Sequence, residues 1–224
     1  MFSVSVATSI LAVGFAVDLL RRWLRDRSRR HLIWWAAGVV AYGVGTLAAA
    51  VVERSGWTPG WFRIWYIAGA ILGGALLAQG TAYLLHRRDT ADRLASSVAV
   101  VAVGAACALL LSPVAPLASG DLAGDSIDWA WVRAFTPALN VFAVMYLVGG
   151  ALLSATRLRK RPDVNNRRIT GNVLIAIGGL TPAAGGIASR LGGANALPPT
   201  LLAGLTLIWA GAVLAAGSKR QTKG

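Results

Sequence analysis

Charged residues are scarce in this sequence. Of its 224 residues, 14% are charged and 56% are hydrophobic, whereas about 25% of a typical soluble domain is charged. The charges lie in short clusters, and the apolar stretches between them run to about 20 residues, the length at which an α-helix crosses the hydrocarbon core of a bilayer. A spanning β-barrel would instead show alternating polarity. The sequence therefore predicts an all-α, polytopic integral membrane protein.

The side chains that most often carry chemistry are also few. The chain has one cysteine, Cys107, one glutamate and two histidines. It contains no GxSxG, HExxH, cysteine–histidine cluster or phosphate loop, so we expect neither an enzyme nor a bound cofactor. His31 and His86 stand beside arginines at the ends of apolar stretches, which favours ordinary interfacial residues over haem ligands. All three lysines lie outside these stretches, which excludes a retinal Schiff base.

Seven stretches are long enough to span a membrane. They cover about residues 2–20, 32–52, 62–84, 94–117, 135–155, 169–188 and 199–217. Of the 22 Lys and Arg residues, 18 fall in the loops 21–31, 85–93 and 156–168 and in the tail 218–224. Because positive loops stay in the cytoplasm, the N-terminus is predicted outside and the C-terminus inside. Arginine far outnumbers lysine, a composition associated with GC-rich bacteria, so we expect a multi-pass protein of the bacterial cytoplasmic (inner) membrane.

The sequence also suggests an internal repeat. A shift of 136 residues (150 − 14) aligns Gly14 with Gly150 and, without a gap, Arg54 with Arg190. Three spans, one linker span and three more spans would give two halves in parallel orientation. This 3+1+3 plan resembles that of the SWEET and PQ-loop transporters in topology, although their Pro-Gln dipeptide is absent.

The repeat predicts how the single transmembrane domain, residues 1–224, is organised. The first three-helix half would cover residues 1–84, the linker helix 94–117, and the second three-helix half 135–217. Small residues recur at helical spacing within these halves: Ala37, Ala41, Gly45, Ala49, Gly69, Gly73, Gly150, Ser154, Gly178, Gly179, Gly185 and Gly186. Such stripes allow close helix contact, so they favour packing within the chain, with a homodimer as the alternative.

Two sets of charged residues lie at span ends. Asp18 and Arg22 are four residues apart, a spacing that favours an ion pair on one helix face, with a cation or proton site as the alternative. Glu53 precedes Arg54, and Arg63 begins the next span. We expect Glu53 to pair with one of these arginines as a clamp at the outer mouth. The alternative is an outer gate or a proton-titrating group.

Uncharged polar residues and one proline lie deeper in the spans. Together with the outer charges they form the candidate cavity or gate set: Thr46, Glu53, Arg63, Gln79, Asn140, Asn172, Thr181 and Pro182. Proline removes a helix hydrogen bond, so Thr181-Pro182 is a candidate break in its helix. Hydrogen bonds between helices explain the polar side chains about as well as a cavity does.

These features favour a small transporter or permease-like protein for a neutral or amphipathic molecule, with its path between the two halves. The alternative is a non-transporting sensor, scaffold or accessory subunit that acts through a partner. The net charge of +13 is explained by span ends that contact anionic lipid headgroups, so nucleic acid is not expected as a partner.

Overall fold

In this computed structural model, the structure describes residues 2–117, 122–159, 166–190 and 196–216. The structure is 89% helix, and the described residues form no strand. Seven helices among them are long and apolar enough to cross a membrane, which indicates a multi-pass membrane protein. They are α1 Phe2–Arg25, α2 Arg30–Ser55, α3 Pro59–Leu85, α4 Arg88–Leu111, α5 Ala130–Arg159, α6 Asn166–Arg190 and α7 Leu197–Ala216.

The helices form two compact units, Met1–Ala143 and Val144–Gly224. The first unit contains α1 to α4 and the first part of α5, and the second contains the rest of α5 with α6 and α7. The boundary lies within α5, at the start of a π-helical segment, Val144–Gly149. Helix α3 contains a second π-helical segment, Tyr66–Gly73. Such segments are rare and are frequently found at functional sites.

Local signals explain where α2 ends and α3 begins. Gly56 has a φ of 89°, a left-handed conformation that costs glycine little because it lacks a Cβ. Thr58 then caps α3, because its side chain accepts a hydrogen bond from the Trp61 amide at 3.3 Å. Pro59 occupies the first turn, where a missing N–H is tolerated.

We call the end of the first unit that holds the α1–α2 and α3–α4 connections the basic end. In the α1–α2 connection, the Asp26 carboxylate accepts hydrogen bonds from Ser28 Oγ at 2.5 Å and from Arg29 Nε at 2.6 Å. Because these bonds favour the charged form, they hold the pKa of Asp26 below its usual value. The turn is thereby fixed by side chains that remain in contact with solvent.

Glycines bring the helices of the first unit into direct backbone contact. A Cβ added to Gly45 of α2 would lie 2.7 Å from the Gly69 Cα of α3, and one added to Gly38 would lie 2.8 Å from the Leu77 amide nitrogen. Lipid provides no hydrophobic drive for helix association, so such contacts supply the dispersion energy that holds membrane helices together. Gly45 of the small-residue stripe of α2 therefore packs within the chain, whereas Ala37 of that stripe is exposed.

The opposite end of the first unit is covered by a structured connection between α4 and α5, which we call the cap (residues 112–117 and 122–129). Val114 and Ile127 form an antiparallel bridge, and the Trp129 amide donates to Ser112 Oγ at 3.3 Å. Ile127 is fully buried, in a cluster with Phe62 and other apolar residues. The sequence predicted residues 112–117 as the end of the fourth span and the residues that follow as a loop, so this cap was not expected.

In the second unit, α6 and α7 pack through glycines along their lengths. A Cβ added to Gly178 would lie 2.6 Å from the Gly204 carbonyl oxygen, and one added to Gly211 would lie 2.5 Å from the Gly171 carbonyl oxygen. Pro182 lies inside α6, which continues from Asn166 to Arg190 without interruption. Thr181-Pro182 therefore does not end the helix.

Candidate functional site

An open cleft lies between α4 and α5 in the first unit. Its volume is about 200 Å³. It is lined by Leu94, Ser97, Val98 and Val101 of α4 and by Ala138, Leu139 and Phe142 of α5. None of these side chains carries a charge.

The sequence of α4 explains why a cleft forms beside it. The buried stripe of this helix is mostly alanine, and it consists of Ala91, Ala95, Val98, Ala102, Ala105, Ala108 and Leu109. Val100, outside this stripe, remains 73% exposed. Because most of the packed side chains are short, α4 lies close to the unit along a narrow line and leaves a furrow next to it.

The cleft offers almost no hydrogen-bonding capacity. Ser97 is its one polar side chain, and its hydroxyl donates to the Arg93 carbonyl at 3.1 Å, within α4. A ligand with unsatisfied polar groups would lose hydrogen bonds to water on entering the cleft. The cleft therefore suits an apolar group, such as part of an acyl chain or a small neutral molecule.

Of the predicted cavity residues, Thr46 and Gln79 are buried in the first unit and bonded to other helices. Thr46 Oγ1 lies 2.9 Å from Ser9 Oγ of α1, and Gln79 Nε2 donates to the Ala91 carbonyl of α4 at 2.8 Å. Gln79 Oε1 has no partner among the described residues. Both side chains therefore form hydrogen bonds between helices. This is the alternative to a polar cavity that the sequence left open.

The predicted pairing of Glu53 with an arginine is wrong. Glu53 accepts a hydrogen bond from Ser5 Oγ of α1 at 3.3 Å, while the Arg54 guanidinium lies 5.7 Å from the centre of the Phe2 ring. Arg63 Nη2 instead donates to the Ser112 carbonyl in the cap at 3.1 Å. The sequence spacing was compatible with pairing, but α2 directs Glu53 towards α1 and α3 directs Arg63 towards the cap.

The basic end holds the second predicted charge pair. Arg22 Nη2 lies 2.7 Å from Asp18 Oδ2, as the four-residue spacing indicated. A further set of contacts was missed: Asp92 of α4 accepts from Tyr83 and pairs with Arg30 Nη1 at 3.5 Å. These residues are distant in sequence, so no local pattern could have brought them together.

Asn172, Thr181 and Pro182 belong to the second unit. Asn172 Nδ2 donates to the Arg168 carbonyl at 2.9 Å, and Thr181 Oγ1 donates to the Ile177 carbonyl at 2.8 Å. Both bonds lie within α6, one turn back. Pro182 is partly buried against α7, where a Cβ added to Gly204 would lie 3.0 Å from Pro182 Cδ.

Asn140 differs from the other predicted site residues. It is exposed on α5, and its side chain makes no hydrogen bond with any described residue. One turn earlier, Thr136 Oγ1 donates to Tyr66 Oη of α3 at 2.7 Å, and Leu139 is buried. These two contacts fix the rotation of α5 about its own axis. With this rotation, Asn140 lies at the edge of the exposed face of α5.

The described residues contain no group of three or more His, Cys, Asp and Glu side chains placed to hold a metal ion. The chain matches no known family model, no curated protein and no solved structure. Its description therefore rests on its own residues, which form an all-helical, multi-pass membrane protein with seven helices able to span a bilayer.

Proposed function

We propose that this chain is a permease-like protein that moves a neutral, amphipathic, lipid-like molecule across the membrane. The observation that carries the proposal is the apolar cleft between α4 and α5. In this proposal the cleft receives the apolar part of the molecule while its polar part stays near the headgroups. The proposed path therefore runs beside α4, the predicted linker helix, and differs from the path between the two halves that the sequence suggested.

The size and lining of the cleft limit what it could hold. Small-molecule pockets typically measure roughly 300–1,000 Å³, whereas this cleft has a volume of about 200 Å³. A bulky or charged group would not fit, and an ion would find no compensating charge among the lining residues. A flexible hydrocarbon chain meets both limits, because it is narrow and needs no hydrogen bonds.

The backbone beside the cleft supports a moving part. Phe142, the last lining residue along α5, is followed after one residue by the π-helical segment Val144–Gly149. A π-helical segment interrupts the regular backbone hydrogen bonds of an α-helix, so α5 can change its bend or register there at lower cost than elsewhere. Alternating access to the two membrane faces requires such an adjustable helix.

A lipid-translocation assay tests the proposal. The protein is reconstituted into liposomes that carry a fluorescent, zwitterionic phosphatidylcholine, and dithionite is added outside to bleach the probe. If the protein moves the lipid, inner-leaflet probe reaches the outer leaflet and all of it is bleached. Ala138→Phe fills the cleft and should abolish this, whereas Val103→Phe, on an exposed position of α4 outside the lining, should not.

The proposal fails if liposomes with protein bleach no further than empty liposomes, or if both phenylalanine variants behave alike. Circular dichroism and the elution volume in detergent would establish that the Ala138→Phe protein is folded. A folded variant without translocation supports the cleft, whereas full translocation in that variant contradicts it.

A second function, that of an accessory subunit acting through an acidic partner, is favoured by one feature of the basic end. Six exposed arginines there take part in none of the ion pairs formed among the described residues: Arg21, Arg25, Arg27, Arg87, Arg88 and Arg93. Unpaired charges on one face increase the rate at which an oppositely charged partner associates. A folded protein that moves no lipid in the assay would favour this function over transport.

A further inference from the structure

The small-residue stripes, for which a homodimer interface was the alternative to packing within the chain, are largely used within the chain. Gly45 of α2 lies against Gly69 of α3, and Gly178 of α6 lies against Gly204 of α7. In each case the facing backbones already touch, so no second helix can enter at the same place. If two copies of the chain associate, a different surface has to carry the contact.

Asn140 marks such a surface. It lies seven residues after Arg133, which places it about 10 Å further along the helix at 1.5 Å per residue. Arg133 pairs with Asp125 of the cap at 2.9 Å, and a charged pair favours the headgroup level over hydrocarbon. Asn140 lies deeper in the apolar helix α5, is exposed, and has no hydrogen bond to any described residue.

An amide in hydrocarbon is unfavourable unless its donor and acceptor are both satisfied. The amide has one carbonyl oxygen and two N–H groups. An identical amide from a second copy, related by a two-fold axis, would supply a matching donor and acceptor at once. An interface of this kind is self-complementary, as two-fold interfaces must be.

We propose that two copies of this chain associate through the exposed face of α5, with the two Asn140 side chains hydrogen-bonded to each other across a two-fold axis. Pro137 and Val141 are also exposed on this face, and Val141 is 59% exposed. They supply apolar contact around the amide pair. At 100° per residue, Ala138 lies about 160° around the helix from Asn140, so the cleft remains outside the interface.

Cysteine cross-linking in native membranes tests this interface. In a Cys107→Ala background that keeps Asn140, Pro137→Cys should form a disulfide-linked dimer when a membrane-permeable oxidant is added. Ala138→Cys, about 160° around the helix from Asn140, serves as the matched control and should remain monomeric. A cross-link at position 138 without one at position 137, or no cross-link at either, overturns the proposal.

The strength of association provides a second readout. Fluorescence transfer between labelled copies in liposomes should give a dimer dissociation constant that rises about tenfold in Asn140→Leu, the change expected when two interhelical hydrogen bonds are lost. Asn140→Gln should retain part of the affinity, since it keeps the amide. A wild-type protein that is monomeric, or equal constants for the wild type and Asn140→Leu, contradicts the proposal.

Discussion

Gly178→Ala should destabilise the second unit by about 1–3 kcal/mol, the usual cost of overpacking a close contact. The added methyl carbon would lie 2.6 Å from the Gly204 carbonyl oxygen and 2.9 Å from Ile208 Cγ1. The oxygen belongs to the backbone of α7 and cannot rotate away. The variant must therefore either separate α6 from α7 along their contact or shift one helix past the other.

Gly186 offers a matched control on the same helix, since nothing lies within 4 Å of a Cβ added there. Gly186→Ala should be neutral or stabilising by up to about 1 kcal/mol, because alanine favours helix more than glycine does. Unfolding curves in detergent with increasing denaturant would give both values. Equal shifts for the two variants would show that α6 and α7 are not packed as described.

Gly80→Ala should lower the stability of the first unit by about 1–3 kcal/mol. A Cβ there would lie 2.6 Å from Trp35 Nε1 and 2.9 Å from the His31 carbonyl oxygen. Trp35 is 8% exposed, so the indole has little space into which it can move. The contact holds α2 against α3 near the basic end, next to the bond between Gln79 and Ala91.

A double-mutant cycle would separate this contact from a general loss of packing. Trp35→Leu removes the ring and costs stability by itself, but Gly80→Ala should then cost much less in its presence. The expected coupling falls within about 0.5–3 kcal/mol, the range for residues in contact. Additive effects would mean that Gly80 and Trp35 do not meet. Gly104→Ala, at an open position of α4, serves as the control for helix propensity.

The number of helices able to span a membrane could be predicted from apolar length alone, but their ends could not. The fourth span was expected at residues 94–117, whereas α4 covers Arg88–Leu111. The helix begins earlier because an apolar stretch leaves out polar first turns such as those with Arg88 and Arg93, and it ends earlier because Pro113 disfavours helix in the residue before it. Hydropathy finds the apolar part of a helix, whereas backbone hydrogen bonding decides where the helix begins and ends.

Contacts within one helix were predictable and contacts between helices were not. The pair between Asp18 and Arg22 follows from helix geometry, because residues four apart share a face. The bonds of Thr46 to Ser9 and of Gln79 to Ala91 depend on how neighbouring helices rotate. Glu53 was assigned to the wrong partner for the same reason. The cap could not be predicted because it is stabilised by individual contacts, which leave no periodic pattern in the sequence.

The internal repeat stays a prediction. The gapless spacing of Arg54 and Arg190 suggests two three-helix halves around a linker, whereas the contacts divide the chain at Ala143 and Val144. The first unit includes α4, the predicted linker, so that helix packs with the helices before it. The boundary of a duplicated sequence segment need not coincide with the boundary of a compact unit. Contacts show how the helices pack in the folded chain and do not show whether its halves arose by duplication.

Membrane orientation is the measurement that tests the account most directly, because it establishes both that the chain crosses the membrane and which membrane face holds the basic end. Alkaline phosphatase, which is active only after export from the cytoplasm, would be inserted in separate fusions at residues 26–29 and at residues 118–121. The positive loops predict an inactive enzyme at 26–29 and an active one at 118–121. Activity at 26–29 with none at 118–121 would invert the protein and contradict the account.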